Sequence, residues 1–261
     1  MTGKELKIKM SSGGRIYGTL LVAPSPLWAD SVARLGLDFV FIDTEHIPLD
    51  RSVLCWMCYL YKSLGLAPIV RIPSPSPYEA SMAMDAGATG VIAPYIETEL
   101  QVRQLVGAVK KRPLKGAMLQ KILNNEDPVP GLPGHLANRA IDNILIINIE
   151  SVPAMESLDD ILAVEELDGI LIGPNDLSYS LGIPEKYHDK KFKSAVDFIF
   201  QKAMVHHKSA GIHMIYTDGI LDELAWARAG ANIIVHSADV LAFKEKMYQD
   251  IKYLRKELND E

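Results

Sequence analysis

Glu150 and Asp176 carry the most chemical information in this chain of 261 residues. Each closes an apolar run: Asn143-Ile144-Leu145-Ile146-Ile147-Asn148-Ile149 leads into Glu150, and Gly169-Ile170-Leu171-Ile172-Gly173-Pro174-Asn175 leads into Asp176. Two carboxylates delivered to one place repel unless a cation lies between them. Oxygen ligands suit Mg²⁺ or Mn²⁺, and Co²⁺ is a further candidate. Other strand ends add complementary groups: Asp43-Thr44-Glu45-His46 on the second, Val70-Arg71 on the third, and His213 with Tyr216 on the seventh. Arg71 suits a bidentate grip on a carboxylate. His46, with Asp43 nearby, has the makings of an oriented general base. Gly173-Pro174-Asn175-Asp176-Leu177-Ser178 turns from a strand into a helix and offers backbone N–H groups to an anion.

Each residue also has a structural reading. A strand-end acid often caps a helix, a single arginine pairs with an acid, and a single histidine sits satisfied in a core. Whether His213 points inward to the mouth or outward against a helix is open. The joint pattern argues for chemistry, because one rim receives all of these groups. A cation, an anion grip and a base together suit enolisation next to a carbonyl, with preorganised charge holding the developing oxyanion.

The elements that must position these residues alternate along the chain. Apolar strand-like runs occupy 16–22, 38–43, 68–72, 90–96, 143–150, 169–173, 211–215 and 232–236, and 116–119 is a short ninth candidate. Amphipathic stretches at 26–35, 78–86, 98–109, 154–164, 191–207 and 221–229 separate them. Such alternation implies βαβ units and a parallel sheet. Continuous apolar runs read as strands covered on both faces. About eight units favour a closed (β/α)8 TIM barrel of the α/β class, with 116–119 surplus. In that fold the carboxyl ends of the strands build the active site. Residues 124–134, with three prolines, form the one long irregular segment, placed to line the mouth. Residues 240–258 read as a charged amphipathic helix.

Composition narrows the function classes. The length fits a single barrel domain over 1–261, since such domains run to about 250 residues. A net charge of −6 leaves no basic footprint for nucleic acid or an anionic membrane surface. No apolar run reaches the roughly 18 residues of a membrane span, and the first residues lack the apolar stretch of a signal peptide, so a cytoplasmic setting is expected. Cys55 and Cys58, the two cysteines, lie in the apolar helical stretch 53–60 and read as small buried hydrophobes, not a redox pair.

The segments Asp43-Thr44-Glu45-His46, Val70-Arg71, Met84-Asp85-Ala86-Gly87-Ala88, Gly90-Val91-Ile92-Ala93-Pro94, Asn148-Ile149-Glu150 and Gly173-Pro174-Asn175-Asp176-Leu177-Ser178 resemble, in order and spacing, the HpcH/HpaI aldolase family. The likeness runs from about Gly18 to Asp239. It implies a metal-dependent (class II) pyruvate aldolase on a TIM barrel, assembled as a homohexamer, a trimer of dimers, with exchanged C-terminal helices. It implies Glu150 and Asp176 as metal ligands and Arg71 as the pyruvate-binding arginine. His46 and Asp43 match the base pair, and Asp85 an acid lent to a neighbouring subunit's site. Asn148 and Gly173 to Asp176 fall where substrate is bound.

The chain departs from the family's usual pattern at Asn148, where glutamine is usual, and at Thr44, where glycine is common. It also departs at Lys115, which replaces an arginine fork with an ammonium, and at His213, which stands where an apolar residue is usual. These changes put the acceptor aldehyde, rather than the reaction class, in question. His213 with Tyr216 predicts a more polar acceptor pocket. Two further readings stand beside the aldolase. One is a synthase or CoA-ester lyase that directs the same enolate to another electrophile, although basic residues for a large cofactor are scattered. The other is a barrel that binds a metal and a keto acid without catalysis. Neither a P-loop nor a G-x-G-x-x-G after a strand is present.

Overall fold

The computed structural model describes residues 1–214 and 219–260. Its eight strands are all parallel and close on themselves in chain order: β1 (Ile16–Leu21), β2 (Phe39–Asp43), β3 (Ala67–Arg71), β4 (Gly90–Ala93), β5 (Ile144–Ile149), β6 (Gly169–Ile172), β7 (Ser209–Met214) and β8 (Ile233–Ala238). β1 pairs with β2 on one side and with β8 on the other, so no edge is left open. The fold is the expected (β/α)8 barrel.

The side-chain period of two divides the apolar residues into two cores. Ile16, Leu20, Phe39, Phe41, Ala67, Ile69, Ile92, Ile144, Ile146, Leu171, Ile233 and Val235 fill the barrel. Their strand neighbours, such as Val40, Ile42, Val70, Val91, Leu145, Ile147, Ile170 and Ile212, pack outward beneath the helices. Leu6 and Met10, from the helix Gly3–Ser11, join the inner group and plug the amino end of the strands. Burying each large inner side chain contributes about 1.5–3 kcal/mol. That sum outweighs the cost of placing polar groups in the top layer, provided those groups are paired.

The same parity settles which polar residues face inward. Asp43 follows Phe41 by two positions, Arg71 follows Ile69, and Asn148 and Glu150 continue the row of Ile144 and Ile146. His213 falls on the inward row as well, its ring centroid 5.1 Å from that of Phe41. These residues form the uppermost interior layer.

Residues 116–119 are not a strand. They open the helix Gly116–Leu123, which turns one face to the helix Glu99–Lys110, Leu119 lying close to Gly107. Four residues are too few to reveal a helical period, and the barrel closes without them. The irregular segment 124–134 is shorter than expected, because the helix Leu132–Arg139 begins within it. The amphipathic stretch 154–164 is two short helices meeting at Ser157. The terminal helix Asp239–Leu258 matches the expected span and buries only Asp239. Cys58 is buried, and burial pushes its thiol up to about 12, as befits an inert core residue. No described helix is long and apolar enough to cross a membrane.

Candidate active site

Register brings the first pair together. Asp43 and Arg71 are directly paired at the ends of β2 and β3. The guanidinium donates from Nε to Asp43 Oδ1 at 2.9 Å and from an Nη to Oδ2 at 2.7 Å. Glu45 adds a second carboxylate, its Oε2 3.0 Å from Arg71 Nε. Burial works to raise the Asp43 carboxyl, but the bonds and charge of Arg71 prevail and hold it below its ordinary value. Burial likewise opposes the charge on Arg71, and Asp43, Glu45 and Glu150 overcome it. The guanidinium also stacks over Phe41, 5.2 Å from the ring centroid.

Glu150 sits one residue past β5 and is buried. Its Oε1 accepts from the Tyr95 amide at 2.8 Å, and its Oε2 accepts from Asn148 Nδ2 at 3.0 Å. Gly173 makes room for this carboxylate: a Cβ at that position would lie 2.3 Å from Glu150 Oε2. Burial pushes the Glu150 carboxyl up to about 7. The Tyr95 amide opposes that shift, and the negative charges of Asp176 and Glu45 add to it. Asp176 lies in the first turn of the helix Pro174–Ser180, exposed at the mouth. Pro174 is buried at the start of that helix, and the Asn175 side-chain oxygen accepts from the Tyr187 hydroxyl at 3.4 Å.

The remaining expected residues are placed less centrally. His46 lies three residues past β2, with its ring mostly exposed and Nε2 3.9 Å from Glu45 Oε2. Among the described residues, none of the Asp43 hydrogen bonds goes to His46; both carboxylate oxygens go to Arg71, and Oδ1 also takes the Glu45 amide at 3.0 Å. The reason is geometric: strand pairing sets the guanidinium beside Asp43, whereas His46 lies beyond the turn. His213 faces inward but forms part of the floor rather than an open wall. Burial, and then the charge of Arg71, lower it to about 3, so it is a neutral imidazole. Its Nε2 and the Asn148 Oδ1 are buried without a hydrogen-bond partner. Asp85 ends the helix Pro77–Asp85, at the amino end of the barrel away from the mouth, where it pairs with Arg112. Tyr216 lies outside the described residues.

Two residues at the mouth were given no role by the sequence reading. Glu45 stands inside a motif that drew attention to Asp43 and His46. Tyr95, two residues past β4, has a left-handed backbone, φ 55°, and is half-exposed. Its hydrogen bond to Glu45, followed by burial, pushes the phenol up to about 12. A tyrosine in that conformation is uncommon and is held by its surroundings; here its amide is fixed on Glu150 and its carbonyl accepts from Gln101.

The donor set fits a hard divalent cation. Glu150 is buried, flanked by the charges of Asp176 and Glu45, and would be relieved by positive charge. Among the described residues no group of three or more His, Cys, Asp or Glu side chains is arranged around one point. Glu150 and Asp176 are the pair that the resemblance implies as ligands, and a two-carboxylate set would leave further coordination positions to water and substrate, as Mg²⁺ prefers.

A closed parallel barrel whose carboxyl-end mouth gathers acids around one arginine defines a (β/α)8 enzyme. The chain belongs to the HpcH/HpaI aldolase/citrate lyase family, whose model matches residues 17–242. It is 27% identical over 220 residues, 84% of either chain, to the 5-keto-4-deoxy-D-glucarate aldolase of Salmonella paratyphi C. The crystal structure of an HpcH/HpaI aldolase from Desulfitobacterium hafniense DCB-2 is 26% identical, with a TM-score of 0.82 and 96% of both chains covered. That of the citrate synthase SbnG is 28% identical, with a TM-score of 0.80, covering 98% of this chain and 99% of the other. The chain is thus an enzyme of carbon–carbon bond chemistry, as the resemblance implied.

Proposed function

We propose that this protein is a divalent-metal-dependent pyruvate aldolase, reversibly joining C3 of pyruvate to the carbonyl carbon of an aldehyde to give a 4-hydroxy-2-oxo acid. The observation that carries the reading is the buried Glu150 carboxyl, set beside Asp176 and Glu45 and facing the Asp43-held Arg71. Glu150 and Asp176 would hold Mg²⁺ or Mn²⁺, with Co²⁺ an acceptable substitute. When bound, such a cation supplies a Lewis acid that stabilises charge developing on a keto oxygen.

The chain's own residues then have distinct tasks. Asp43 and Glu45 orient Arg71, whose remaining donor edge receives the pyruvate carboxylate with help from the Gly173 to Asp176 backbone. Asn148 fixes one Glu150 oxygen and keeps its own Oδ1 for a donor. His46 moves the proton at pyruvate C3, directly or through a water; Glu45, its nearest carboxylate, takes the orienting part expected of Asp43. Asp85 lies at the amino end of the barrel, away from its own mouth, which supports a role at a neighbouring subunit.

Assembly is part of the proposal. On the helix Asp239–Leu258, Val240, Phe243, Met247, Ile251, Leu254 and Leu258 are exposed at spacings of three or four residues, the stripe of a helix that packs on another. A hexamer built as a trimer of dimers with these helices exchanged would cover it. Both cysteines are unbridged, which suits a reducing cytoplasm.

A second reading adds the same nucleophile to a keto acid or thioester, and the likeness to citrate synthase SbnG favours it. Incubating pyruvate and Mg²⁺ with simple aldehydes, oxaloacetate or acetyl-CoA, and following products by mass, separates the two. Hydroxy-oxo acids formed from aldehydes support the aldolase; condensation with oxaloacetate or acetyl-CoA alone replaces it.

A further inference from the structure

Two polar atoms inside the barrel have no partner in the protein: Oδ1 of Asn148 and Nε2 of His213, both buried without a hydrogen bond. The residues themselves are 2% and 4% exposed. Strand register places them in one layer. Leu20 pairs through Phe41 with Ile69, and two residues further along β3 is Arg71. Arg71 leads in the same way, through Ile92 and Ile146, to Asn148. Asn148 leads through Leu171 and Gly211 to His213, and His213 through Val235 and Gly18 back to Leu20. These steps of two strands and two residues close the circuit, as the stagger of an eight-stranded barrel requires. Leu20, Arg71, Asn148 and His213 are therefore the four side chains of one interior layer, contributed by alternate strands. Leu20 is apolar, and Arg71 directs its Nε and an Nη to Asp43. Asn148 and His213 are neighbours in this layer with β6 between them, where Leu171 belongs to the inner core and Gly173, two residues on, adds no side chain.

Glu150 settles the orientation of the amide. A carboxylate only accepts, so Asn148 Nδ2, 3.0 Å from Glu150 Oε2, is the donor and Oδ1 is left as an acceptor. The Nε2 of an imidazole either donates or accepts, according to the tautomer. One water satisfies both atoms: it gives a proton to Oδ1 and meets Nε2 in whichever sense the tautomer requires. Enclosing a water with two fixed partners costs less than leaving two buried polar atoms unpaired. We propose that His213 is a positioning residue that holds Asn148 through one enclosed water and thereby fixes the Glu150 carboxylate for the metal. This rests on the metal-dependent aldolase reading above. His213 lies in the floor and acts only through Asn148. Released from that water, the Asn148 amide would turn about its side-chain bonds, and Glu150 would keep the Tyr95 amide as its one donor.

Mn²⁺ affinity, read from the EPR signal of the free ion without substrate, reports on Glu150 in the absence of turnover. Asn148→Ala and His213→Leu are each expected to weaken it about ten-fold, the lower end of what losing a group that orients a metal ligand costs. The double variant should bind no more weakly than Asn148→Ala alone, because two residues acting in series do not add. His213→Gln, whose amide reaches to the same depth, should recover most of the affinity lost in His213→Leu. Losses that multiply in the double variant, or full affinity in a folded His213→Leu, overturn the assignment in favour of a space-filling histidine. A high-resolution crystal structure of the unaltered protein reads the water itself. A water within hydrogen-bonding distance of both Nε2 and Oδ1 is expected; a direct bond between the two atoms, or a separate partner for each, contradicts the proposal. Should the unaltered protein bind no Mn²⁺, the metal reading fails, while that crystal structure still decides whether His213 holds Asn148.

Discussion

Asp43 and Arg71 stand side by side at the ends of adjacent strands, joined by hydrogen bonds of 2.9 and 2.7 Å. Only a planar guanidinium can offer Nε and Nη to two oxygens of one carboxylate. Arg71→Lys keeps the charge, loses the fork and leaves a buried carboxylate half-paired. Charge-assisted bonds are worth about 1.5–3 kcal/mol each, so KM for pyruvate should rise ten-fold or more and the melting temperature should fall. Steady-state kinetics and a thermal melt check this. Unaltered KM and melting together would remove Arg71 from the site.

Gly173 is required by contact, not by flexibility. A methyl group there would meet Glu150 Oε2 at 2.3 Å and Glu150 Cβ at 3.2 Å. The carboxylate cannot swing aside without breaking its bonds to the Tyr95 amide and Asn148. Gly173→Ala should therefore lower kcat/KM roughly 100-fold, the scale of an ångström-sized misplacement in an active site, with a folded circular-dichroism spectrum. Activity within two-fold of the unaltered protein would mean that Glu150 is not held where catalysis needs it.

His213 gives a pH signature of stability. Its folded value, about 3, lies below the ordinary 6.5, so the unfolded chain binds a proton first as pH falls. Stability should thus decline below pH 6.5, by about 2 kcal/mol at pH 5. His213→Leu lacks that group and should lose less on the same descent. Denaturant melts of both proteins at pH 8 and pH 5 make the comparison. Equal losses would mean that His213 takes up a proton in the folded state and is not the sealed floor residue described above.

The eight strands were legible because both-sides-buried strands are written as unbroken apolar runs. Their parity was legible too: Asp43, Arg71 and Glu150 fall on the inward rows once the apolar neighbours are counted. The pairing of Asp43 with Arg71 was not legible, because register between strands 28 residues apart is set by barrel closure rather than by local sequence. That is why His46 was expected to take the place at Asp43 that Arg71 occupies. Tyr95 was missed for another reason. A positive φ at a non-glycine residue leaves no mark in the sequence, and the ring reads there as one more exposed aromatic. The helix Gly3–Ser11 went unannounced because only Gly3, Leu6 and Met10 are buried, too few for an apolar stripe.

The most direct test of the metal-dependent aldolase is the exchange of pyruvate C3 protons in D2O, followed by NMR without any acceptor. The expected result is exchange with Mg²⁺ or Mn²⁺ that stops on chelation, returns on re-addition and is lost in Glu150→Gln. Exchange that survives exhaustive chelation or the loss of Glu150, or a borohydride-trapped lysine adduct with pyruvate, would contradict it.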